Sequence, residues 1–172
     1  MSASRSKLAP VPPNFSSTEF RAALGMFATG VTIVTARTAT GHLIGLTANS
    51  FNSVSLSPPL VLWSLARTAG SLGAFRTGSH YAINILGADQ QDLALQFAGP
   101  GADRFAGVAF TLGDSGAPLL HGAAAHFECF NRSRYEEGDH VILVGEVERC
   151  TYRSGASPLL FHGGKFYAEH PL

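Results

Sequence analysis

The sequence predicts a mainly β fold, an antiparallel barrel with a few helices packed outside it. Three observations carry that expectation. Short apolar, β-branched runs recur along the chain. Most successive runs are joined too tightly for the crossover that parallel neighbours need. The 19 glycines among 172 residues sit mostly between those runs, as tight corners do.

The elements follow in order. Residues 1–15 are rich in Ser and Pro, lack the apolar stretch of a signal peptide, and read as a disordered tail before a single domain over 16–172. Ser16-Ser17-Thr18-Glu19 has the pattern of a capping box. Phe20, Leu24 and Phe27 then mark one apolar helical face that ends near Gly30. GVTIVTA (30–36) alternates as a strand, residues 37–41 are a polar turn, and 42–50 form the partner strand. Val54 to Ser57 leads into Pro58-Pro59, which breaks the chain, and LVLWSL (60–65) is a continuous apolar strand. A short helix is expected over 68–77, a strand over 81–86 and a helix over 89–98, closed by Gly99-Pro100-Gly101. Residues 107–116 read as irregular. Two long strands, 123–134 and 140–153, flank the turn Glu136-Glu137-Gly138-Asp139, and 159–167 ends the pattern with Gly163-Gly164 at its middle.

Composition narrows function by exclusion. Twelve basic and twelve acidic residues give no excess charge for a nucleic-acid partner. No apolar run reaches the ~18 residues of a membrane span. Two widely spaced cysteines, Cys129 and Cys150, fit core positions in a reducing cytoplasm, with a disulfide as the other reading. GDSGAP (113–118) resembles a serine-protease nucleophile segment, but His126 follows that serine where the protease order puts it before. GPGADR (99–104) lacks the third glycine of a dinucleotide fingerprint and follows a helix. His126-Phe127-Glu128 has no paired-cysteine segment to complete a zinc site, and no HExxH exists, so no metal centre is expected.

What remains is an unusual polar stretch. Thr47, Asn49, Ser50, Asn52, Ser53, Ser55 and Ser57 are uncharged hydrogen-bonding side chains between apolar runs. Such a wall suits a flat, neutral ligand with polar edges, such as an isoalloxazine. A serine-rich loop leading to the Pro-Pro break fits the same spacing.

GVTIVTA (30–36) with GLTANSFNSVSLSPPLVLWSL (45–65) resembles the short-chain NAD(P)H:flavin oxidoreductases, reductase components of two-component flavin-dependent monooxygenases. The resemblance continues through 81–86, RFAGV (104–108), GAPL (116–119), Gly138-Asp139-His140 and PLLFHGGKFY (158–167). It implies an antiparallel split β-barrel of Greek-key type and a homodimer. It implies FAD or FMN bound through Ile44, Gly45, Leu46, Thr47, Asn49, Ser50, Ser64, Leu65 and Ala66, with Gly70 and Ser71 near the phosphate and Gln96 and Phe97 as a further contact. NADH or NADPH would approach near His140 and Gly164, Lys165, Phe166 and Tyr167. The implied activity is reduction of free flavin by hydride transfer to N5, supplying reduced flavin to a partner oxygenase.

Elementary chemistry agrees with that activity. Stacking a nicotinamide carbon about 3–3.5 Å from N5 is a positioning problem, so no nucleophile or metal is required. Hydroxyl or amide donors such as Thr47 and Asn49 would stabilise charge on the reduced ring. Ser71, nearby amides and Arg67 or Arg76 are candidates for the phosphate. His140, the candidate catalytic residue, would face the nicotinamide or the ring, and a structural hairpin histidine is the alternative. Gly163-Gly164 is either a plain turn or a close approach for a dinucleotide, with Phe166 or Tyr167 stacking on a ring. Trp63 reads as core. Two other functions fit the same barrel: a flavin-binding module without reductase activity, and an oxidase of the pyridoxamine-phosphate type. The residues alone choose neither between FMN and FAD nor between NADH and NADPH.

Overall fold

The computed structural model describes residues 10–101 and 103–170. The expected tail falls largely on residues 1–9, outside the described residues, and residues 10–14 lie in no helix or strand and are exposed.

Helix α1, Ser17–Gly25, starts at the predicted capping box: Glu19 N donates to Ser16 Oγ (3.2 Å) and Ser16 N donates to the Glu19 carboxylate (2.8 Å). The Ser16 backbone N–H and the Ser16 hydroxyl, both donating to it, hold the Glu19 carboxyl below its ordinary range. Phe15 packs on Phe20 with ring centroids 5.4 Å apart, a staple across the cap. The helix ends at Gly25, earlier than the apolar spacing predicts, so Phe27 lies beyond it. None of its side chains is buried among the described residues: Phe20 and Leu24 are 50% and 57% exposed.

Seven strands form the main sheet: β2 (Thr32–Arg37), β3 (Leu43–Ala48), β4 (Asn52–Leu56), β5 (Pro59–Ala66), β6 (His80–Ile85), β9 (Ala125–Glu137) and β10 (His140–Tyr152). They lie in the order β3-β2-β6-β9-β10-β5-β4, every neighbour antiparallel. β1 (Thr29–Gly30) pairs with the terminal hairpin β11 (Leu160–His162) and β12 (Lys165–Tyr167). β7 (Phe110–Leu112) and β8 (Pro118–Leu120) pair inside the region expected to be irregular. The polar stretch hid β4, whose pairing with β5 turns at Ser57-Pro58, so the Pro-Pro break is a hairpin turn. Helices α2 (Leu72–Thr77) and α3 (Gln91–Ala98) fall within their predicted windows.

The topology forces the sheet to curl. β3 and β4 are its two edges, yet only residues 49–51 separate them in the chain. Four Cα steps span at most about 14 Å. In a flat sheet of this order the edges would stand about 29 Å apart. Ser50 stitches the approach: its Oγ accepts from Ser64 N (2.9 Å) and donates to Ser64 O (3.2 Å) on β5.

β2 is buried on both faces. Val34 and Ala36 join a core with Trp63, Phe75, Tyr81, Cys129 and Leu143; Val31, just before β2, and Ile33 join a second with Leu86, Phe97, Leu120 and Leu159. Trp63 is fully buried, as expected, edge-on to Phe75 (5.0 Å) and Tyr81 (5.8 Å). Buried Asn84 binds three elements together, donating to Ile33 O (2.9 Å) and Thr35 Oγ1 (3.2 Å) while accepting from Leu120 N (2.8 Å). A buried amide so satisfied fixes register where apolar contacts alone would tolerate slippage.

Candidate active site

Two clefts flank the outer edge of β3. The larger, about 530 Å³, is lined by Leu43 to Thr47, Leu65, Ala69 to Ser71, Phe97, Ala98, Gly101 and Asp103 to Phe105. The smaller, about 370 Å³, is lined by Val31, Thr47, Asn49, Ala94, Leu95, Ala98, Phe161, Gly164 and Phe166. Thr47 and Ala98 border both.

β2 occupies one side of β3, and the other side has no strand partner. The Gly45 carbonyl points to that free side, where it accepts from Arg104 Nη1 at 2.8 Å. Alternation along an antiparallel strand then turns the Thr47 backbone groups the same way. Gly45 is required by packing. A Cβ there would lie 2.5 Å from Phe97 Cε1 and 3.3 Å from Phe105 Cζ. Phe97 and Phe105 meet edge-on at 5.0 Å and fill the space a side chain would take.

Of the residues singled out in the sequence, Ile44, Gly45, Leu46, Thr47, Leu65, Gly70, Ser71 and Phe97 line the larger cleft. Asn49, Gly164 and Phe166 line the smaller. The others stand differently. Ser50 and Ser64 are spent on each other. Gln96 braces the following loop, its Nε2 donating to Arg104 O (2.9 Å) and Ala106 O (3.1 Å). The Thr47 hydroxyl donates to Ala94 O at 2.6 Å, so towards a ligand it is left as an acceptor. Lys165 and Tyr167 flank Phe166 on the exposed hairpin, with the Tyr167 ring 6.2 Å from His162. Gly163 and Gly164 both have positive φ (56° and 80°), as a two-residue hairpin turn of mirror-image type demands.

His140 opens β10 opposite Ala66, one residue beyond cleft-lining Leu65. Neither His140 nor Ala66 lines a cleft. The half-exposed imidazole Nδ1 sits 2.7 Å from Asp139 Oδ1. That hydrogen bond, with the histidine's charge, holds the Asp139 carboxyl below its ordinary range.

The cations expected for a phosphate sit elsewhere. Arg67 and Arg76 both pair with Glu136. Arg104, quoted in the sequence only within GPGADR and RFAGV, is the cation that lines the larger cleft. Its signal was hidden because a loop arginine after Gly-Pro-Gly reads as solvent-facing. Among the described residues no three His, Cys, Asp or Glu side chains gather as a metal site.

The fold is thus a curled antiparallel sheet with two clefts beside one strand edge. The chain belongs to the flavin reductase like domain family, whose model matches residues 24–170. It is 47% identical over 156 residues to "FMN reductase (NADH) SmoA" of Agrobacterium fabrum, covering 91% of this chain and 88% of that one. It is 42% identical to the reductase component of the flavin-dependent trigonelline monooxygenase of Acinetobacter baylyi, over 87% of this chain. There it spans about half of the relative's length (48%). The solved Streptomyces globisporus NADH:FAD oxidoreductase SgcE6, in complex with NAD and FAD fragments, superposes with a TM-score of 0.88 at 40% identity. That match covers 95% of this chain and 98% of the solved one.

Proposed function

We propose that this chain is a flavin reductase that uses NADH to reduce FMN or FAD and passes the reduced flavin to a separate oxygenase component. The observation that carries this reading is the single free edge of β3, which supplies a wall to both clefts within a family of flavin reductases. The relatives named for NADH, FMN and FAD support the cofactors. The relative named as a monooxygenase reductase component supports the partner.

The residues present fit a flavin. The larger cleft offers the backbone edge of β3, an apolar floor at Phe97 and Phe105, and the positive charge of Arg104, which no described side chain pairs. Bound there, the flavin would supply a hydride acceptor at N5 for a reduced nicotinamide. The chain's part is to orient and to exclude water. Ile44, Gly45, Leu46, Thr47 and Leu65 would hold the ring, Gly70 and Ser71 the phosphate end. Asn49, Gly164 and Phe166 would border the nicotinamide from the smaller cleft. We assign Ser50, Ser64 and Gln96 a positioning role, because their hydrogen bonds are already made within the chain. His140 would act at the rim, kept in one orientation by Asp139.

The curled sheet supports a split β-barrel of Greek-key type, with the split between β3 and β4–β5 bridged by Ser50. Residues 16–172 would form one such domain. The exposed apolar residues Phe20, Leu24, Met26 and Phe27 support a homodimer. No described helix is long and apolar enough to cross a membrane. The free thiols of Cys129 and Cys150 fit work in the cytoplasm. The test is to mix purified protein with NADH and FMN, FAD or riboflavin. Flavin-dependent loss of nicotinamide absorbance is expected, and none with any flavin would overturn the proposal.

A further inference from the structure

We infer that Arg104 is the anion-recognition residue of the larger cleft, its guanidinium charge meeting a charged oxygen of the bound flavin. The inference rests on the flavin reading above and names how that site holds charge. Arg104 and Asp103 are the only charged residues among those lining the cleft. Asp103 turns its Oδ1 to the Phe105 backbone N–H at 3.0 Å. Arg104 makes no ion pair among the described residues. Its Nη1 donates to Gly45 O (2.8 Å) and its Nη2 to Gly99 O (3.0 Å), both neutral acceptors. The side chain is thereby fixed across the gap between the edge of β3 and the loop after α3, with its positive charge uncompensated.

Its Nε is enclosed without a hydrogen-bond partner, so nothing within the chain answers the charge there. Arg104 lines the cleft, where a ligand oxygen can meet that charge. Attraction to an anion is also stronger here than at an open surface, because Phe97 and Phe105 displace water from the same wall. By contrast, Arg67 and Arg76 share Glu136 and are half-exposed, so their charge is already answered.

Two parts of a reduced flavin nucleotide carry anionic oxygen: the phosphate ester and the reduced ring system. Binding measurements on the full chain distinguish them. FMN and riboflavin, each oxidised and reduced, are titrated by calorimetry against wild type, R104Q, R104K and Q96L. Loss of a charge-assisted hydrogen bond should weaken the relevant ligand about tenfold or more in R104Q. If the phosphate is the partner, FMN weakens and riboflavin does not. If the ring is the partner, both reduced forms weaken more than the oxidised ones. R104K keeps the charge and should recover part of the loss. Rising salt should weaken wild-type binding of that ligand more than binding of its less charged counterpart, which holds the test if R104Q folds poorly. Q96L releases the loop brace without changing charge and should affect all four ligands alike. No change in R104Q, or a uniform loss matching Q96L, overturns the assignment. Absence of any flavin binding by wild type overturns the proposed function itself, a separable result.

Discussion

At the level of single residues, two positions make sharp predictions. Gly45 faces Phe97 and Phe105 with no room for a methyl. Gly45→Ala should force those rings aside and lower stability by about 1–3 kcal/mol, as overpacking does. A fall in melting temperature with weaker flavin binding is expected; an unchanged melt would contradict the packing account. Cys129 is fully buried, and burial pushes its thiol up from 9.0 to about 12. A group whose folded pKa is raised lends stability that is complete below its unfolded value. That stability is lost as pH rises towards the folded value. Stability should therefore decline between pH 9.0 and about 12, less steeply in Cys129→Ala. A thiol reagent at neutral pH should modify exposed Cys150 and spare Cys129 until denaturant is added. Single residues were also where the sequence was least legible. Thr47 was visible as a site residue, but that its hydroxyl proton is spent on Ala94 follows only from how α3 packs on β3.

Among the elements, α1 is the outlier. Its capping box and apolar spacing were readable, yet the apolar face stays exposed apart from the contact of Phe20 with Phe15. The homodimer reading gives that face a role. Replacing Phe20 and Leu24 together by Glu should yield a monomer in analytical ultracentrifugation, with the fold retained because no core residue is removed. A dimer of undiminished affinity would place the interface elsewhere. Strands with β-branched, apolar runs such as β2, β5 and β6 were legible because period and composition agreed. β4 was not. Its pattern Asn52-Ser53-Val54-Ser55-Leu56 is polar, and it forms only because β5 offers a ladder and Pro58 sets the turn. The same holds for β7 and β8, three residues each, which exist through their mutual pairing. Local propensity is a weak guide wherever tertiary pairing decides.

For the whole molecule, the consequence of topology is that consecutive strands β3 and β4 become opposite edges of one sheet. That arrangement curls the sheet and leaves the β3 edge free for the clefts. The sequence motifs at 45–65 span this crossing, while RFAGV was visible as a motif but the reach of Arg104 to Gly45, 59 residues away, leaves no local pattern. The central claim is that the chain positions a flavin to be reduced by a nicotinamide. It is tested most directly by anaerobic rapid mixing of protein, FMN and excess NADH. The account predicts that the oxidised-flavin absorbance bleaches in step with nicotinamide oxidation, mole for mole, far faster than without protein. Flavin that binds but stays oxidised at the uncatalysed rate would contradict it.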